Sequence, residues 1–307
     1  MKRLTLILTI LVAAASCTLS AADAPKHHGW NDDPLYGNVE SLTITSYSIK
    51  DSSGVLSRSK IKEKFCYNFN QSGDVTERAK YNSDGSLDYK LTFKYDSKGN
   101  VTEEARYTSA GSLNDKRIYK YDRKGNKTEE AWNTSDGSLS KKNTYKYDRK
   151  GNEIEETEYY SDGSLSKYIY KYDTKGNKTE EAWYESDGSL SRREINKYDT
   201  KGNNTEKAVY KSDGTLISKT IYKYDTKGSK TEEARYTSAG SLLWKYIYKY
   251  DTKGNKTELA KYDSAGSLIW KSIYKYDSKG NKTEMTIYDG EMQKPESQDV
   301  YTIIFRK

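Results

Sequence analysis

One phrase recurs down this chain about every 26 residues. It reads aromatic–Lys–Tyr–Asp–x–x–Gly–Asn, then Lys–Thr–Glu–Glu–Ala–x–Tyr, then Ser–Asp–Gly–Ser–Leu. Its marker tyrosines are Tyr95, Tyr121, Tyr147, Tyr172, Tyr198, Tyr224, Tyr250 and Tyr276, and Phe69 holds the same place in a degenerate first copy. A unit this short cannot bury a core alone, so each copy must cover its face with the next. The repeat fills nearly all of the 307 residues past about residue 40 and leaves no room for a separate catalytic domain.

Each copy reads as two strands and two turns. In Lys167-Tyr168-Ile169-Tyr170-Lys171-Tyr172, β-formers alternate strictly, the mark of a strand. Asp173-Thr174-Lys175-Gly176-Asn177 follows, with Asp opening a type I turn and Gly taking the left-handed conformation that closes it. Lys178 to Ser186 reads as the second strand, and Asp187-Gly188 as a two-residue hairpin turn. The expected fold is all-β: an elongated antiparallel meander of hairpin repeats, largely single-layer and about 90 Å long at the usual strand spacing. A flattened β-solenoid with one repeat per coil is the alternative.

Charged residues make up 32% of the chain and hydrophobic residues only 34%. Such a balance suits disorder, but 30 tyrosines in register and only 3 prolines argue against it. Tyrosine supplies area to bury and a polar tip that stays wet. The net charge is +7, yet Lys and Glu interleave, which describes a solvated, salt-bridged surface and not a nucleic-acid stripe.

An unbroken ladder outward from Asp173 opposite Asn177 sets Tyr172 against Lys178, Tyr170 against Glu180 and Tyr168 against Ala182. The same count puts Trp244 opposite Tyr262 and Trp270 opposite Tyr288, on the tyrosine side of neighbouring copies. Trp132 and Trp183 fall on the other side. These six rings are the candidate binding residues, since flat rings spaced along a sheet stack on sugars or on another surface. The copy at Tyr172 is one residue short between Gly163 and Tyr172. A deletion inside a strand reverses its faces, so a bulge near Leu165 is expected to absorb it.

Residues 1–22 read as a signal peptide, with a basic start at Lys2-Arg3 and an apolar run from Leu4 to Ala15. Two endings compete: cleavage after Ser20-Ala21-Ala22, or a lipobox-like Ala14-Ala15-Ser16-Cys17 with lipid on Cys17. Residues 23–38 read as a flexible arm, 39–64 as a half-repeat cap, 65–290 as the array and 291–307 as a capping strand. Cys66, the one cysteine past the leader, stands where other copies carry isoleucine and reads as a small buried hydrophobe.

The Tyr-Asp-x-x-Gly core, as in Tyr95-Asp96-Ser97-Lys98-Gly99, resembles the YD repeat of the bacterial Rhs family across about residues 65–290. The resemblance implies a secreted or surface scaffold of hairpins strung into a broad curling sheet, sometimes linked to carbohydrate binding. The array here is short, with no toxin region after its last copy.

Catalytic chemistry finds no foothold. The only histidines, His27 and His28, lie in the arm, and paired glutamates such as Glu129-Glu130 recur identically in copy after copy. Turn-forming Asp needs no metal to explain it. No cofactor, metal or nucleic acid is expected. The expected function is a non-enzymatic, extracytoplasmic scaffold that binds a polysaccharide or another envelope component. The alternative is a structural spacer that associates strand edge to strand edge.

Overall fold

The computed structural model describes residues 35–52, 55–291 and 294–306. The leader, Cys17, His27, His28 and all but the end of the arm lie outside the described residues. Twenty strands follow one another: β1 (Val39–Ser52), β2 (Val55–Phe69), β3 (Val75–Asn82), β4 (Leu87–Tyr95), β5 (Val101–Thr108), β6 (Leu113–Tyr121), β7 (Lys127–Thr134), β8 (Leu139–Tyr147), β9 (Glu153–Tyr160), β10 (Leu165–Tyr172), β11 (Lys178–Tyr184), β12 (Leu190–Tyr198), β13 (Asn204–Lys211), β14 (Leu216–Tyr224), β15 (Lys230–Thr237), β16 (Leu242–Tyr250), β17 (Lys256–Tyr262), β18 (Leu268–Tyr276), β19 (Lys282–Asp289) and β20 (Pro295–Phe305). Each pairs antiparallel with the next, and β1 also pairs with β20, from Val39 opposite Phe305 to Ser48 opposite Ser297. The sheet is therefore a closed barrel. This corrects the open ribbon and excludes the solenoid; the C-terminal strand is the closing stave, not a cap.

Both turns of the repeat have one geometry. At the first, the Asp173 amide donates to the Asn177 carbonyl (3.0 Å) and the Gly176 amide to the Asp173 carbonyl (3.1 Å). At the second, Glu185 and Ser189 pair in the same way, so this loop has three residues, not the two expected. Gly176 and Gly188 sit at φ of 89° and 80°, a region costly for other residues. The Asp173 carboxylate accepts from the amide and the side chain of Asn177 (2.9 and 2.7 Å). Asn100, Asn126, Asn177, Asn203, Asn255 and Asn281, each heading an Asn-x-Thr triplet, are committed to the turn Asp in this way.

A bulge next to each turn breaks the simple ladder. Tyr172 does face Lys178, but Lys171 then faces Glu180, Tyr170 faces Glu181, Ile169 faces Ala182 and Tyr168 faces Trp183. Thr179 is the extra residue, and its hydroxyl returns to the Lys171 carbonyl (3.3 Å). A second bulge follows the Ser-Asp-Gly turn, where Ser191 is skipped between Leu190 and Arg192. The expected register is thus off by one residue beyond Tyr172. The short copy shows the converse. Leu165 to Ile169 pair with Tyr159 to Glu155 without a break. The missing residue is the bulge residue itself, so the deletion removes a bulge where one had been expected to form, and no face is reversed.

Bulges bend and twist a sheet, and here two per hairpin help it curl until it closes. The register drifts steadily: Lys94 pairs with Glu103, and Glu103 with Ile118, which stands two places before Lys120, the equivalent of Lys94. A ring of twenty strands with that stagger tilts its strands by about 37° and measures about 120 Å around. At the closure lies the main apolar core: Leu35, Val39, Leu42, Ile44, Tyr67, Phe69 and Val75, with Phe65, Phe93, Tyr301, Ile303 and Phe305 against it. Leu42 is 1% exposed. Beyond Ser48 and before Glu63, β1 and β2 have only each other as ladder partners and form a ribbon past the ring.

Candidate functional site: the inner wall

The bulges sort the repeat onto two faces. Lys94, Lys120, Lys146, Lys171, Lys197, Lys223, Lys249 and Lys275 lie on one, with side chains 61–71% exposed, paired to the first glutamate of each Glu-Glu or its equivalent at 2.7–3.0 Å. On the other face even small polar residues are buried, including Asn143, Asn196, Ser218, Thr220 and Ser272. Side chains splay apart on a convex surface and crowd on a concave one, so the tyrosine face is the inner wall.

The inner wall is a polar lattice built on the marker tyrosines. Each donates its hydroxyl to the backbone carbonyl of the first residue of the adjacent strand, in the preceding repeat. Tyr121 reaches Val101 (2.7 Å), Tyr147 reaches Lys127 (2.7 Å), and Tyr198 reaches Lys178 (2.8 Å). Phe69, at the head of the array, has no earlier repeat to reach and needs no hydroxyl. In four strands the second aromatic donates to the inner glutamate of the repeat before: Tyr119 to Glu104 (3.3 Å), Tyr145 to Glu130 (3.1 Å), Tyr170 to Glu156 (3.1 Å) and Tyr248 to Glu233 (3.2 Å). Lys127 donates to Glu130 (2.6 Å) and lies over the rings of Tyr119 and Tyr145 (5.8 and 4.6 Å). Burial, reinforced by neighbouring carboxylates, raises the hydroxyl pKa of Tyr145, Tyr170 and Tyr248, and takes Tyr147 and Tyr172 to about 12.

All four tryptophans of the described wall face inward. Trp132 stands opposite Arg117 and Lys141, and Trp183 opposite Tyr168 and Arg192. Trp244 stands opposite Arg235, and Trp270 opposite Lys261 and Asp289. The structure thus brings Trp132 and Trp183 to the same side as Trp244 and Trp270, against expectation. It places Tyr262 and Tyr288 outside, opposite Lys245 and Lys271, and so splits the expected Trp–Tyr pairs. The one-residue bulge accounts for both corrections. Basic groups cover the inner rings: Arg192 over Trp183 (4.4 Å), Arg117 and Lys141 over Trp132 (5.7 and 5.1 Å), and Arg106 over Tyr89 (4.4 Å). These Arg and Lys partners did not figure in the sequence-based site. The signal for them was the Lys-Thr-Glu-Glu run: Lys127 and Glu130, three apart, share a face only if Thr128 is a bulge.

Two copies invert the charge of the lattice: on β13 Lys207 takes the inner glutamate's place and pairs with Glu194 (3.1 Å), and β9 inverts the other way. Glu153 replaces the lysine found at Lys127 and Lys178, and with Glu156 and Glu158 it gives β9 three inward carboxylates. Burial, with Glu156 adding repulsion, pushes Glu153 up to about 7, and Lys127 and Lys178 oppose the shift. Among the described residues, no group of three His, Cys, Asp or Glu is placed to hold a metal. Cys66 pairs with Ala79 as Ile118 pairs with Ala131, and is half-buried where full burial was expected. It accepts from the Thr43 hydroxyl at 3.7 Å.

The chain matches no family model and no curated protein sequence. Among solved structures, it is similar over 86% of its length to the complex TcdB2-TccC3-Cdc42, at 14% identity and a TM-score of 0.34, and spans 16% of that chain. TcdB2-TccC3 without its hypervariable C-terminal region gives 14% identity and a TM-score of 0.33 over 80% of this chain and 15% of that one. A porin-like protein from Bacteroides uniformis gives 10% identity and a TM-score of 0.39 over 87% of this chain and 98% of that one. Likenesses this distant decide neither fold nor function.

Proposed function

We propose that this chain is a non-enzymatic, extracytoplasmic repeat barrel that binds a polymeric partner, an envelope glycan, on its aromatic inner wall. The observation that carries the reading is the convergence of Trp132, Trp183, Trp244 and Trp270 on one concave face, each opposite a basic side chain. Rings with cations beside them offer stacking and hydrogen-bond donors together. The Tyr-Asp-x-x-Gly hairpins accord with an Rhs-type relationship. The outer wall accords with a barrel standing in water: a lysine such as Lys249 in a lipid-facing band costs about 2–4 kcal/mol at mid-depth, and such lysines recur around the ring.

The test is retention on insoluble envelope polysaccharide. Replacing all four inner tryptophans by alanine should abolish it, and replacing Tyr262 and Tyr288 on the outside should not. Equal loss from the outer pair would sink the reading. The spacer alternative draws on one feature. Closure pairs both edges of the ring, so among the described residues only the projecting ribbon, with Val55 at 69% and Leu56 at 50% exposure, still offers strand edges. Concentration-dependent assembly abolished by Val55→Lys and Leu56→Lys would favour that alternative.

A further inference from the structure

The inner wall is polarised around the ring. On β9 it presents Glu153, Glu156 and Glu158. The inner carboxylate column, broken once by Lys207 on β13, ends at Glu233 on β15: Leu259 and then Met285 stand where earlier copies carry Glu130, Glu181 and Glu233. The cations persist. Arg235, Lys256, Lys261 and Lys282 all face inward across β15–β19, among Trp244, Tyr246 and Trp270. The three rings form a continuous cluster, Trp244 to Tyr246 at 5.0 Å and Tyr246 to Trp270 at 6.0 Å. Lys261 lies over Tyr246 at 5.6 Å. Arg235 donates one guanidinium nitrogen to Ser218 (3.1 Å), and its buried Nε–H has no acceptor in the wall.

We propose that this sector, β15–β19, is the binding site, and that its ligand is an acidic polysaccharide bearing uronate or similar carboxylates. This rests on the reading of the inner wall as a glycan-binding face and names the class of glycan. Two arguments carry it. Charge complementarity is local: the sector sets five inward cations, Lys230, Arg235, Lys256, Lys261 and Lys282, against two inward carboxylates, Glu233 and Asp289, and the β9 sector, with its surplus of carboxylates, repels the same polymer. Geometry favours a sugar chain: Tyr246 and Trp270 stand in one row across β16–β18 through Lys261, and Trp244 extends the rings two residues along β16, a track suited to successive units of a linear glycan. Stacking orients the sugar faces, while Lys261 and Arg235 meet the carboxylates that project from them.

The experiment is titration calorimetry of the full chain with polygalacturonate oligosaccharides, with dextran oligosaccharides of matched length as the neutral arm and a single-stranded oligonucleotide as a polyanion without sugar-face stacking. Polygalacturonate should bind, and weaken as salt rises. Trp270→Ala and Lys261→Gln should each weaken it at least tenfold, and Tyr89→Ala, an inner-wall ring on β4 outside the sector, less than twofold. Thermal unfolding of each variant separates lost binding from lost folding. Dextran binding as tightly as polygalacturonate, or Tyr89→Ala matching Trp270→Ala, would overturn this assignment and leave the inner-wall reading standing. Tighter binding of the oligonucleotide would overturn the glycan class. Glycan binding indifferent to every inner-wall substitution would overturn both.

Discussion

The closing seam and the repeating wall are held together by different physics. At the seam, Leu42, Ile44, Tyr67 and Phe69 pack with Ile303 and Phe305 in the main apolar cluster of the described residues, tied at its rim by the Arg306 guanidinium, which donates to the carbonyls of Phe69 and Asn70. In the wall most side chains are half-buried, and cohesion comes from tyrosine hydroxyls, Lys–Glu pairs and cations over rings, repeated copy by copy. A seam joins two ends of the array, from the first and last strands, and must offset the entropy of closing a loop of some 250 residues. Concentrated burial does that. A wall hairpin meets a neighbour adjacent in sequence, and small increments suffice.

The largest effect should come from the seam. Leu42→Ala removes a side chain 1% exposed and should cost about 3 kcal/mol, seen as a fall in the urea midpoint. It should also leave β1 and β20 as open edges, so a shift of the scattering profile from a ring to a longer open sheet is expected. A loss below about 1 kcal/mol would mean that closure does not depend on this cluster.

Next comes the acidic copy at β9, where the wall departs from its own rule. Glu153, taken up to about 7 by burial and by Glu156, has its pKa raised on folding from an unfolded value near 4.3. The folded state therefore holds the proton more tightly, and stability falls as pH rises between those values. The carboxyl keeps part of its solvent, which screens the repulsion, so the effect should be about 1–2 kcal/mol. Glu153→Gln should raise the melting temperature at pH 8 and leave it unchanged at pH 4. An equal gain at both would assign the effect to packing and not to charge.

What the sequence disclosed follows the same division. Hairpins, turn chemistry and strand positions were legible because each is encoded within one copy by Asp173, Gly176 and the alternation of Tyr168, Tyr170 and Tyr172. Closure was not, because it depends on how curvature accumulates over twenty strands and on Val39–Ser48 meeting Ser297–Phe305, segments some 250 residues apart. The candidate site was half-legible. Trp244 and Trp270 were placed on the tyrosine side correctly, but Trp132, Trp183, Tyr262 and Tyr288 were misplaced by one residue, since Thr179 and Ser191 look like ordinary strand residues until the pairing is seen. A regular strand would put Lys178 and Glu181 on opposite faces; their ion pair is the local sign that it is not regular.

The marker tyrosine tests whether wall cohesion is shared in small units. Tyr198→Phe keeps the ring and removes one hydrogen bond to the Lys178 carbonyl (2.8 Å). It should cost about 1 kcal/mol, and the same change at Tyr224 or Tyr250 should cost nearly as much, because each hydroxyl does the same job one repeat along.

The smallest effect should lie on the outer wall. Lys171 and Glu180 pair at 3.0 Å, but the lysine side chain is 63% exposed, so water and salt screen the attraction and two long side chains must be held still to gain it. Lys171→Ala should therefore shift stability by no more than about 0.5 kcal/mol, read in the same urea titration, and the shift should vanish in high salt. The inner Lys127–Glu130 pair, crowded between Tyr119 and Tyr145, should lose more on Lys127→Ala, because Glu130 would be left buried without its cation. If the two substitutions proved equal, the concave and convex faces would not differ in solvation, and the assignment of the tyrosine side to the interior would fail with them.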